Sequence, residues 1–124
     1  MVNIAGVGGR TPAAQFAIGG SVNAAMLSFT KAMADVGVAD GVQVNAINPG
    51  ARRTARLVTR LRTLSKEQGI SIGEAEMQML ANSAITRIGE PEDIANLVAY
   101  IVSPKNRYLH GALIDLDGGT TKTM

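Results

Sequence analysis

Two short apolar runs, Met1–Ala5 and Val42–Ile47, stand on either side of a stretch with helical periodicity, and this order constrains the fold more than any other feature. The first run stops at Gly6. The second alternates and then meets Asn48-Pro49-Gly50. Apolar runs closed by such breakers read as strands. Between them, Ser21 is placed to cap a helix in which Val22, Ala25, Met26, Phe29, Ala32 and Met33 recur at three- and four-residue steps until Gly37 supplies a stop. Strand, helix and strand at these lengths predict a βαβ unit, and with it a parallel sheet and a right-handed crossover.

Downstream, the spacing predicts an amphipathic helix from Arg53 to about Gln68, with Leu57, Leu61 and Leu64 on one face. A second helix over Ser71–Ala81 follows Gly69, with Ile72, Ala75, Met79 and Leu80 as its apolar members. Pro91 suits a first helical position, and Ile94, Leu97, Val98 and Ile101 form the stripe of a third helix that ends near Ser103-Pro104. Leu113-Ile114-Asp115-Leu116 reads as a last strand closed by Asp117-Gly118-Gly119. The fold class is therefore α/β, with three parallel strands near 1–5, 42–48 and 112–116. A strand that begins at the first residue is expected to be the end of something longer. The chain is accordingly expected to be a piece of a longer protein, or to associate through the Ser21–Asp35 helix.

Composition narrows the function classes. The absence of cysteine removes disulfides, thiol nucleophiles and zinc–thiolate sites. One histidine, His110, and no carboxylate cluster at metal-ligand spacing leave no metal site to expect, and His110 reads as a loop residue. Twelve Lys and Arg against ten Asp and Glu give only +2, and aromatics are 3% of the chain. Neither a nucleic acid nor a membrane surface is invited by that balance. No window approaches the length of a spanning helix, so a cytoplasmic location is the default expectation.

Several ordered segments resemble the C-terminal half of a short-chain dehydrogenase/reductase. They are Val2-Asn3-Ile4, Ala24-Ala25, Phe29-Thr30-Lys31-Ala32-Met33-Ala34, and Val44-Asn45-Ala46-Ile47-Asn48-Pro49-Gly50 with Thr54. The match resumes at Arg87-Ile88-Gly89-Glu90-Pro91-Glu92-Asp93-Ile94-Ala95 and at Gly111 through Gly119. The resemblance implies that 1–124 is one partial domain, half of a Rossmann-like doubly wound sheet, with 52–84 as a variable segment over the substrate. It also implies NAD or NADP as cofactor, held mainly by a half outside this sequence.

In that family a Ser orients the substrate oxygen, a Tyr transfers the proton, and a Lys four residues later lowers the Tyr pKa. A phenol is a poor base at neutral pH without a nearby cation. Registered on the matching segments, these positions fall at Gly6, Gly19 and Asn23, none of which can do the chemistry. No shifted register restores the set, because Tyr100 and Tyr108 are followed four residues on by Pro104 and Ala112. Gly6-Val7-Gly8-Gly9 follows a strand but lacks the third Gly and the downstream acid of a dinucleotide turn, so it reads as a tight loop. The positions that keep a cofactor role by resemblance are Asn23, Pro49, Gly50 and Thr54.

Arg52, Arg53, Arg56, Arg60 and Arg62 form the densest charge cluster. It reads either as a solvated helix face or as a clamp, led by Arg52 and Arg53, for an anionic ligand such as the phosphates of an acyl thioester carrier. Met26, Met33, Met77 and Met79 read as core or lid packing, and Asp115 and Asp117 as part of a structural turn. The implied function is an NAD(P)-dependent oxidoreductase acting on a carbonyl, hydroxyl or acyl thioester, with activity lost or altered. The alternative is a non-catalytic ligand-binding or subunit-partner module.

Overall fold

The structure, a computed structural model, describes residues 1–123. Its elements are β1 (Val2–Ile4), two single 3-10 turns (Val7–Gly9 and Ala14–Phe16), α1 (Ala17–Asp40), β2 (Asn45–Pro49), α2 (Ala55–Gln68), α3 (Ile72–Ser83), α4 (Pro91–Ile101) and β3 (Leu113–Leu116). The strands form one parallel sheet in the order β1-β2-β3, with Ile47 registered between Ile4 and Ile114. The α/β class and the three parallel strands are as the sequence predicts.

β2 is the centre of the molecule because it is paired on both edges and buried along its whole length. Its polar residues are there to tie other segments down. Asn45 Nδ2 donates to the Leu109 carbonyl at 2.9 Å, and the Ala112 N–H donates to Asn45 Oδ1 at 2.9 Å, which fixes the approach to β3. Asn48 Nδ2 donates to Asp115 Oδ1 at 2.9 Å across the β2–β3 pair. His110, read from sequence as a loop residue, lies in the loop between α4 and β3 and acts there as a clasp. Its Nε2–H donates to the Ala34 carbonyl at 2.6 Å while Nδ1 accepts from the Val44 N–H at 3.3 Å, so one imidazole joins α1 to the chain entering β2.

α1 departs from the sequence expectation at both ends and in its facing. It starts at Ala17, and Ser21 caps nothing: its hydroxyl donates back to the Ala17 carbonyl. It runs past Gly37 to Asp40, and Gly41, in the left-handed region at φ 65°, ends it. The buried face is Gly20, Leu27, Thr30, Ala34 and Gly37, with Met26 and Met33 half-buried. Val22 and Phe29, expected to face inward, are 60% and 50% exposed. A helix apolar on both sides gives periodicity no preferred face, and close packing here selects the small residues.

The 52–84 segment builds a small core together with Ile88. Thr54 caps α2 by accepting from the Leu57 N–H, and Ser71 and Glu74 form a reciprocal capping box on α3. Leu57, Leu61, Ala75 and Ile88 are buried together, with Leu64, Ile70, Met79 and Leu80 packed around them. Met77, expected in this packing, is 62% exposed.

At the start of α4, Asp93 accepts from both Arg87 guanidinium nitrogens, at 2.7 and 2.9 Å, and from the Glu90 N–H at 2.8 Å. The Arg87 guanidinium first, and then that N–H, hold its carboxyl at about 2, below the ordinary 3.8. A folded value below the unfolded one gives stability that is complete above about pH 4 and lost as pH falls toward about 2. Asp93→Asn should therefore be less stable than the native protein near neutrality, by a small margin because the pair is exposed. In acid titrations followed by circular dichroism the margin should close over that window. A margin that stays constant down to pH 2 would rule out this carboxyl as its source.

Candidate functional site

The carboxyl end of β2 opens into a cleft of about 720 Å³ between the two 3-10 turns on one side and α2 on the other. Crevices beyond the carboxyl ends of parallel strands are where open α/β sheets hold ligands. Pro49, Gly50 and Thr54 line it, as do Arg52, Arg56 and Arg60 on the α2 side. Val7, Phe16, Leu57 and Met79 make its apolar wall. No Asp or Glu lines this cleft.

Asn23 is not among the lining residues. Its amide lies against Gly6 so closely that a Cβ added there would be 2.8 Å from Asn23 Nδ2. The space beside Gly6, which the resemblance registers at the family's Ser, is thus occupied by Asn23, which it registers at the Lys. Gly19, registered at the Tyr, is covered in the same way: a Cβ on it would run into the Phe16 ring. Sequence reading did not single out Phe16. Its scarcity as one of two phenylalanines, three residues before the vacant Tyr position, was the available signal.

The two arginines read as a clamp are separated. The 51–53 stretch is extended and pinned to Gly89, with Arg53 N donating to Gly89 O at 2.7 Å and Gly89 N to Ala51 O at 3.0 Å. Successive side chains in extended backbone point to opposite sides. Arg52 therefore stays on the cleft side, donating to the Gly50 carbonyl at 3.0 Å, and also borders a smaller cavity of about 230 Å³ that Glu90, Asp93 and Asp117 share. Arg53 turns away to Glu76 and Glu90, at 2.7 and 3.1 Å. These hydrogen bonds, with Glu76 first, raise the Arg53 pKa, and Arg53 in turn lowers that of Glu76. Arg62 lies outside the cleft lining.

Asp115 and Asp117 do not act as a pair. Asp115 binds Arg10 Nη1 at 2.7 Å and Asn48, while Asp117 accepts from the N–H groups of Gly119 and Thr121 at 2.9 and 2.7 Å. Burial acts to raise the Asp117 pKa, but the hydrogen bonds from Thr121, Gly119 and Thr120 outweigh it and leave the value lowered. Asn48 Oδ1 is buried with no partner among the described residues. No helix among them is long and apolar enough to cross a membrane.

A parallel sheet with a cleft at the carboxyl end of its central strand, bounded by a Gly-rich turn and α2, is an α/β frame of the Rossmann-like kind. The family described as Enoyl-(Acyl carrier protein) reductase matches residues 1–121, and the chain belongs to the short-chain dehydrogenase/reductases. It is 29% identical over 124 residues to the NADPH-dependent reductase BacG of Bacillus subtilis, covering 100% of this chain and 48% of that protein. Over 92 residues it is 41% identical to a probable 2,4-dienoyl-CoA reductase of Caenorhabditis elegans, covering 74% and 28% respectively. The crystal structure of L-sorbose reductase from Gluconobacter frateurii, complexed with NADPH and L-sorbose, superposes with a TM-score of 0.92 at 27% identity, over 99% of this chain and 47% of that one. The chain thus spans about half the length of the relatives it matches.

Proposed function

We propose that the chain is the C-terminal half-domain of an NAD(P)-linked short-chain oxidoreductase whose proton-relay positions have been repacked, so that turnover of carbonyl, hydroxyl or acyl thioester substrates is lost or greatly altered. The observation that carries this reading is the filling of both vacancies. The Asn23 amide occupies the space at Gly6, and the Phe16 ring covers Gly19. No ionisable group stands at any of the three relay positions, so no side chain there can give or take a proton.

The cleft itself fits the nicotinamide end of a coenzyme: it lies at the carboxyl end of β2, is free of carboxylates, and presents the Pro49-Gly50 turn and Thr54. Pro49, Gly50 and Thr54 would hold that end, with Asn23 behind the Gly-rich turn packing it rather than reaching the ribose. A bound coenzyme supplies hydride. The chain's own residues orient the ligand and shield it with Phe16 and Leu57. The NADPH dependence in the names of BacG and the sorbose reductase supports the assignment.

Titrating the full-length protein that carries this half-domain with NADH and NADPH, then screening keto and enoyl thioesters and simple ketones, tests the reading. Coenzyme should bind, while turnover should fall about 10²- to 10⁴-fold below that of a relative carrying the full relay, the usual contribution of positioned acid–base groups. Turnover equal to such a relative would overturn it. Failure to bind either coenzyme would favour the second reading, a subunit-partner module, which the exposed apolar stripe on α1 supports.

A further inference from the structure

The charge lining the cleft is of one sign, with no Asp or Glu among the described residues in its lining. Arg56 and Arg60 lie one turn apart on α2 and both line the cleft, with Arg52 just ahead of the helix. Neither Arg56 nor Arg60 forms an ion pair among the described residues, whereas the neighbouring Arg53 and Arg87 are each taken up by carboxylates. Three guanidinium groups facing one space repel each other until an anion enters. The N-terminus of the 14-residue α2 adds to the same positive potential. Phe16, Leu57 and Met79 offer an apolar wall in the same cleft. Its volume of about 720 Å³ is within the range of small-molecule sites.

We propose that this cleft binds an anionic amphiphile, with a phosphate or carboxylate head on Arg52, Arg56 and Arg60 and an apolar body against Phe16, Leu57 and Met79. The assignment replaces Arg53, whose forks are occupied by Glu76 and Glu90, with two arginines one and two turns further along. It rests on the reading of this cleft given above, with the nicotinamide end on Pro49, Gly50 and Thr54 and the amphiphile along α2, but it requires no turnover. Guanidinium groups bind both head types bidentately, so the head remains to be chosen by the ligand series. The aromatic ring that closes the proton-relay position thereby gains a use, as the floor for the ligand's hydrocarbon.

Calorimetric titration of the native protein with octyl phosphate, octanoate, octanol and inorganic phosphate tests the proposal without reference to activity. Octyl phosphate or octanoate should bind about 10- to 100-fold more tightly than octanol, the scale of charge-assisted hydrogen bonds. The stronger of the two anions identifies the head. Both arms should weaken as salt is raised. Arg56→Gln/Arg60→Gln should lose that advantage, and Arg62→Gln, on the same helix but outside the cleft, should keep it. Phe16→Ala should weaken octyl phosphate and leave inorganic phosphate unchanged. Equal binding of octanol and both anions, or full affinity in the Arg56→Gln/Arg60→Gln variant, would overturn the proposal. Absence of coenzyme binding or turnover would bear only on the oxidoreductase reading.

Discussion

Gly37→Ala should destabilise the protein by about 2–3 kcal/mol, the upper part of the range for overpacking a tight site. Helix propensity alone gives the opposite sign, since Ala in a helix interior is better than Gly by about 1 kcal/mol. Packing decides the matter. A Cβ on Gly37 would sit far inside van der Waals distance of the Val42 carbonyl oxygen. That carbonyl cannot swing aside like a side chain. The Val42 N–H donates to Gly37 O at 2.9 Å, and two residues on, Val44 is 1% exposed and held by His110. The new methyl must therefore push α1 off the entry to β2 or break the helix's last turn. Urea denaturation of the native and variant proteins measures the difference, with Val38→Ala, at a 69% exposed position, as the control. A variant as stable as the native protein would show that the α1–β2 junction is looser than described.

The second large effect concerns the outer face of α1. Val22, Ala25, Phe29, Ala32 and Val36 repeat in steps of three and four along one exposed side, a seam suited to a second copy of the same helix. In a two-fold pairing each residue is buried twice. Burying a fully exposed Phe side chain is worth about 1.5–3 kcal/mol, and Phe29 is already half-buried, so it contributes about 1.5–3 kcal/mol per dimer, or about 10- to 10²-fold in the dissociation constant. Sedimentation equilibrium of the native protein should show association, and Phe29→Glu should be monomeric at the same concentration. A native protein that remains monomeric when concentrated would remove this interface, and the partner-module reading would lose its support.

How legible these features are in the sequence follows from what fixes each one. The strands and the four helices are written in breakers and periodicity, and Gly69 and Pro91 mark their boundaries where expected. The facing of α1 is not, because a helix apolar all round hides which stripe the sheet selects. The start of α1 is missed for a related reason. Ser21 is a good cap in isolation, but the helix is seeded one turn earlier by the 3-10 turn that ends at Phe16. The division of labour between Arg52 and Arg53 depends on a pairing with Gly89, 37 residues from Arg52, which no local pattern carries. The glycines at 6 and 19 stand out in the sequence only through the resemblance, whereas what packs against them is a tertiary fact.

The filling of those vacancies also bears on how such a chain can change. Gly6→Ser needs the Asn23 amide to move, and Gly19→Tyr needs the Phe16 ring to leave. Both obstacles are side chains rather than backbone, so each substitution calls for a rotamer change and not for a refolding. On the proposed reading, a relay would take substitutions at Gly6, Gly19 and Asn23 together, and Asn23→Lys itself removes the amide beside Gly6, which leaves the Phe16 ring to move.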